Sequence, residues 1–238
     1  MRRANALILL AALGLAACDS RAAAPPPAEG APASAFPKPN RPVAGIVSDQ
    51  FSNEDERDRL REAERVMDLL GIKPGMTIAD IGAGNGYYTV RLAKRVGSAG
   101  RVYAEDIVPA YVDRLRGRIE AEGHDNVIVT LGTPVDPRLP MGEADLALLV
   151  HMYHEIEQPY GLIWHLHGTL KPGARLAIVD TDRPTNRHGT PPDLLRCELA
   201  AVGYRQAAFH SLPDGAYLAV FETHEPRPSP KAIRPCGD

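Results

Sequence analysis

Little in this chain invites a nucleic acid. Aromatic residues make up 5% of it, no basic stretch is interleaved with them, and the net charge is −3. Gripping a phosphate backbone takes clustered Lys and Arg, and stacking on bases takes aromatic faces. Both are missing, so no nucleic-acid partner is expected. Cysteine is scarce: only Cys18, Cys197 and Cys236. None sits at metal-ligand spacing. Cys197 and Cys236 lie far apart, the second in a Pro-rich tail, and are expected as two free thiols, although an oxidising compartment would let them pair. No apolar run is long enough to make a comfortable membrane span.

The longest apolar run, Leu7 to Ala17, follows Arg2 and Arg3 and ends at Cys18. A basic start, a short apolar stretch and small residues before a cut site are the marks of an export signal. The segment "LAAC" (Leu15 to Cys18) resembles the lipobox of bacterial lipoproteins. That resemblance implies cleavage before Cys18 and a lipid on the new N-terminus, and so a bacterial envelope location on the periplasmic side. Asp19 after the lipidated Cys implies the inner rather than the outer membrane. If the signal is misread, the domain works in the cytoplasm. The membrane is then a partner only through the lipid on Cys18. Residues 18–45 are rich in Ala and Pro and have little to bury, so they read as a semi-extended linker. Residues 46–225 have the length of one domain, and residues 226–238 form a Pro-rich tail.

Within that domain the hydrophobic pattern alternates. Ser52–Leu70 carries apolar residues at helical spacing behind a capping start, and reads as one helix. A turn and a strand pattern share residues 73–82, and further strand patterns follow at 100–107, 126–132, 144–153 and 174–182. Helical patterns at 86–96, 109–122, 158–170 and 192–202 separate them. Residues 204–212 and 216–224 read as a hairpin around Pro213-Asp214-Gly215. Strands alternating with helices imply a mostly parallel sheet with helices on both faces, here seven strands with an antiparallel C-terminal hairpin strand.

Ligands of such sheets sit at the carboxyl ends of the strands. There the chain reads "ADIGAGNGYYTV" (Ala79–Val90). No Gly-Lys-Ser/Thr follows, which removes a P-loop. The spacing Gly82-x-Gly84-x-Gly86 is also a poor match to the dinucleotide fingerprint G-x-G-x-x-G. The acid-x-G-x-G-x-G pattern resembles motif I of the class I S-adenosylmethionine (SAM) methyltransferases. "LKPGA" before the fifth strand resembles that family's Leu-Lys-Pro-Gly-Gly turn. The resemblance covers about residues 52–224 and implies a Rossmann-like methyltransferase fold with SAM as cofactor. SAM carries an ammonium and a sulfonium, so a carboxylate at Asp80 suits it electrostatically. Gly82, Ala83, Gly84, Asn85, Gly86 and Tyr87 would form the cofactor loop. An acid at the end of the second strand would accept from both ribose hydroxyls; the register favours Asp106, with Glu105 as the alternative. Many members place an acid after the third strand, near adenine. Here Thr133 and Pro134 stand in that neighbourhood, and Asp136 comes late.

The segment after the fourth strand usually faces the acceptor. It reads "VHMYHEIEQP", and offers His151, Tyr153, His154 and Glu155. An imidazole can take a proton from a hydroxyl or amine near neutral pH. His154 is therefore the expected base, with Tyr153 shaping the pocket and His151 structural. Neither His151, His154 and Glu155 nor Asp180, Asp182 and His188 match an established metal motif, so no metal is expected. The polar loop after the fifth strand, "DTDRPTNRHGTPP", reads as a lid over the acceptor. Two roles follow. One is an exported SAM-dependent methyltransferase acting on a small-molecule or envelope acceptor. The other is an exported, non-catalytic ligand-binding module on the same scaffold.

Overall fold

A computed structural model describes residues 30–46, 53–224 and 226–237. The segment read as an export signal, Cys18 and the first part of the expected linker lie outside the described residues.

One sheet of seven strands organises the chain: β1 (Thr77–Ile81), β2 (Arg101–Asp106), β3 (Val127–Leu131), β4 (Ala144–Val150), β5 (Leu170–Thr181), β6 (Tyr204–Ser211) and β7 (Ala216–Thr223), in spatial order 3-2-1-4-5-7-6. All pairs are parallel except β5–β7 and β6–β7, which are antiparallel. The expected architecture is therefore the observed one. The central strands read as near-continuous apolar runs because both faces are covered: Leu146, Leu148, Ala177 and Val179 pack on one side, and Ala147, Leu149, Leu176 and Ile178 on the other. Chain order reverses between β1 and β4, which opens a crevice at their carboxyl ends.

The helices are α1 (Glu54–Arg59), α2 (Glu62–Leu69), α3 (Tyr87–Val96), α4 (Pro109–Glu122), α5 (Pro159–Thr169) and α6 (Pro192–Ala200). The single helix expected over 52–70 is two. Arg61 adopts a left-handed backbone, φ 53°, and breaks it. The pieces differ in what holds them. α2 buries Ala63, Val66 and Met67, whereas α1 buries nothing. Ion pairs fasten α1 instead: Glu54 meets Arg118 at 2.6 Å, and Asp58 meets Arg91 at 2.5 Å.

Both ends of the domain correct the sequence reading. Residues 30–45, assigned to a semi-extended linker, pack on the domain at Phe36, Arg41 and Ala44. Phe36 is buried and meets Trp164 edge-on at 5.5 Å between ring centroids. Burying such a ring contributes roughly 2 kcal/mol, which composition alone hid because a single Phe among Ala and Pro carries it. Arg41 reaches Glu198 at 3.0 Å. At the other end Cys236 is joined to Cys197 by a disulfide, so the expected free thiols are a pair. Local contacts bring them together: Pro228 O accepts from Trp164 Nε1 at 2.7 Å, and the Cys236 amide donates to Tyr160 Oη at 2.8 Å. The Pro-rich tail is thus a strap over α5 and α6.

Candidate active site

The loop after β1 turns sharply at Gly82, Gly84 and Gly86, all at positive φ, before α3 begins. A Cβ at Gly82 would lie 2.8 Å from the Met152 side chain, so only glycine fits there without a shift. Hydrogen bonds fix the loop to the end of β2. The Ala83 amide donates to Glu105 O at 2.8 Å, and the Gly84 amide donates to Asp106 Oδ2 at 2.9 Å. Asp106 Oδ1 also accepts from the Val108 amide at 2.9 Å. Burial pushes the Asp106 pKa up, against the lowering pull of these amides. Glu105 is pushed well up by burial first and then by the neighbouring Asp106. Its Oε1 is buried with no hydrogen-bond partner among the described residues. A buried acceptor of that kind is costly unless something fills its bond.

Asp80 corrects an expectation. It does not face the crevice. It is fully buried and accepts from Thr89 Oγ1 at 2.6 Å, which ties β1 to α3. Burial raises its pKa to about 6. Tyr87 aims its hydroxyl at Asp58 (2.9 Å), and its ring is sandwiched by Arg57 and Arg91, each guanidinium 3.8 Å from the centroid.

Two cavities flank the loop. One, of about 410 Å³, is lined by Gly82, Glu105, Asp106, Ile107, Thr133 and Pro134, with Ala44–Ile46 of the N-terminal segment along its edge. Thr133 and Pro134 thus border the same cavity as Asp106. Asp136 turns away: its side chain accepts from the Arg138 amide at 2.7 Å, within its own turn. The second cavity, of about 460 Å³, is lined by Gly82–Asn85, Tyr87, His151, His154, Glu155 and His188, with α1 as one wall. Gly82, Met152 and Glu155 border both.

His154 lies in the second cavity wall, buried. Its Nδ1 is 3.0 Å from Asp180 Oδ1 and 3.1 Å from Oδ2. Asp180 also accepts from Thr190 Oγ1 at 2.7 Å, so it pins the loop after β5 as well as the imidazole. That loop contributes Arg183, Arg187 and His188 to the same cavity. Tyr153 does not shape the pocket as expected. Its side chain points into the core and donates to Glu198 Oε2 at 2.8 Å, because a residue adjacent to His154 in a tight turn faces the other way. His151 sits at positive φ, with Nε2 3.5 Å from Glu62. Burial would raise the Glu62 pKa, yet hydrogen bonds from His151 and Arg57 outweigh it and bring it to about 2. The sequence reading named His188 only with Asp180 and Asp182 and within the lid loop, and it missed Glu62 and α1 as walls of the cavity. Their approach depends on the break at Arg61 and the loop pinned by Asp180.

Comparison with known proteins agrees with the geometry. Residues 78–173 match the family profile described as a methyltransferase domain. A 2-phytyl-1,4-naphtoquinone methyltransferase of Nostoc sp. is 29% identical over 125 residues, 52% of this chain and 55% of the relative. A protein-L-isoaspartate O-methyltransferase of Methanococcoides burtonii is 44% identical over 62 residues, 26% of this chain and 30% of the relative. The chain thus spans about half or less of the length of these curated relatives. The crystal structure of a SAM-dependent methyltransferase from Aquifex aeolicus superposes with a TM-score of 0.68 at 25% identity, covering 74% of this chain and 98% of that one. Fold, glycine loop and relatives agree: residues 78–173 match a methyltransferase domain, and the chain is similar to SAM-dependent methyltransferases in sequence and in fold.

Proposed function

We propose that the protein transfers a methyl group from SAM to a small-molecule or envelope acceptor. The observation that carries this is the loop Gly82–Gly86, closed onto Glu105 and Asp106 at the crevice between β1 and β4. The residues fit the cofactor. Gly82 brings bare backbone to the cavity edge, and the carboxyl groups of Glu105 and Asp106 line the same cavity, where Asp106 would accept from the ribose hydroxyls. Ile107, Thr133 and Pro134 offer the base an apolar seat. Gly82–Asn85 would approach the methionine part. SAM supplies an electrophilic methyl group when bound. The chain's task is then to position the acceptor, exclude water and manage its proton. His154, held by Asp180, is placed for the last of these, beside the loop and inside the second cavity.

The cell envelope is the proposed location, with the domain tethered through a lipid on Cys18; among the described residues no helix is long and apolar enough to cross a membrane. Support comes from the lipobox-like segment and from the Cys197–Cys236 disulfide, a bond typical of oxidising compartments. The missing acid after β3 favours a second reading, a binding module without catalysis. Labelled SAM incubated with the purified protein and an envelope extract separates the two: methyl transfer supports the enzyme, and SAM binding without transfer to any fraction supports the module.

A further inference from the structure

We infer that His154, Glu155 and His188 form a divalent-metal site in the wall of the second cavity. One donor atom from each lies within 4.8 Å of the others. Donors about 2.1 Å from one ion stand about 3.4 Å apart in tetrahedral geometry, so shifts of about 1 Å close the set. The two imidazole centroids are 5.4 Å apart. Two rings sharing a tetrahedral ion would place them about 5.3 Å apart.

The orientation of His154 strengthens the case. Its Nδ1 faces Asp180, so the proton stays there and Nε2 presents a lone pair elsewhere. An imidazole held by a buried carboxylate is the usual second layer of a metal-binding histidine. Two imidazoles and one carboxylate form the donor set of open zinc sites, with a fourth position left for a substrate oxygen. The sequence hid this set because His188 is 33 positions beyond Glu155, on a different loop. Arg183 and Arg187 line the same cavity and would favour an anionic acceptor near the ion.

The consequence for chemistry rests on the methyltransferase reading; the metal site itself does not. A hydroxyl of the acceptor, bound at the open position, would lose its proton to solvent near neutral pH. The oxygen then forms its bond to the methyl carbon as the carbon–sulfur bond breaks, with the electron pair going to sulfur. His154 acts through the ion in this arrangement, and the acceptor class is an oxygen nucleophile.

The test uses the untagged full chain, stripped with chelator and titrated with Co2+. Visible absorption reports cobalt in a nitrogen and oxygen site, and Zn2+ competes for it. One Co2+ per chain is expected, displaced by Zn2+. Affinity should fall at least about 10-fold in Asp180→Asn, and further in His188→Ala and Glu155→Gln. Far-UV circular dichroism identifies any variant that fails to fold, and the proposal is judged on those that do. Absence of cobalt bands at stoichiometric metal, or wild-type affinity in the folded ligand variants, would overturn it. SAM titrated into the same stripped sample keeps the two readings apart: metal binding without SAM binding sinks the methyltransferase, and the reverse sinks the metal site.

Discussion

Arg41 Nε and Glu198 Oε1 meet at 3.0 Å with each side chain only 1% exposed. The pair joins the N-terminal segment to α6, one residue from the Cys197–Cys236 disulfide. Tyr153 Oη donates to the same carboxylate, so three parts of the chain converge there. Removing one partner leaves the other charge buried, a loss that typically costs about 3–5 kcal/mol. Arg41→Ala should therefore lower stability by about 3 kcal/mol, read from the midpoint of urea unfolding. Arg41→Met with Glu198→Gln should recover part of it, because neither charge is then stranded. A change under about 1 kcal/mol in the single variant would mean that residues 30–46 are not part of the folded domain.

The disulfide closes a loop of sequence separation 39. Chain-entropy reasoning gives it about 4 kcal/mol, as an upper figure. Protein recovered from an oxidising compartment should show no free thiol among Cys197 and Cys236, and Cys236→Ser should lower the melting temperature. Equal melting with and without reductant would contradict the bond.

Asp80 binds a proton on folding, since its pKa rises from 3.8 to about 6. Its contribution is full below pH about 4 and is lost as pH rises through about 6, on the order of 3 kcal/mol in all. Asp80→Asn keeps an oxygen for Thr89 and carries no charge to bury. It should match the wild type near pH 4 and be the more stable protein at pH 8. Lower stability of the variant at pH 8 would show that the charged form is needed.

The strands of the mostly parallel sheet, the hairpin and the glycine loop were legible in the sequence because each is written in local chemistry. Alternating apolar runs gave the strands, and Pro213-Asp214-Gly215 gave the turn. Gly82-x-Gly84-x-Gly86 gave the loop. What was illegible depends on distant partners. Nothing local tells Asp80 to face Thr89 rather than the crevice, or Tyr153 to face Glu198. Phe36 looked like linker because its pocket is built from α5. Cys236 looked free because the contacts that carry it to Cys197 come from Trp164 and Tyr160. His188 joined the site only through the loop that Asp180 pins.

His154 and Asp180 should act as a unit on the rate of transfer. His154→Ala should lower kcat by about 100-fold or more while SAM affinity changes little, since Gly82–Gly86 and Asp106 hold the cofactor. Asp180→Asn should lower kcat in the same direction, and the double variant should be scarcely worse than His154→Ala. Additive losses would show that Asp180 acts only by holding Thr190 and its loop.

The most direct test is calorimetric titration of SAM into the purified protein, with Asp106→Ala as control and circular dichroism to confirm that both are folded. One SAM per chain is expected to bind with micromolar affinity, lost or weakened at least about 10-fold in the variant. A folded wild-type protein that takes up no SAM would contradict it and leave the glycine loop to another ligand.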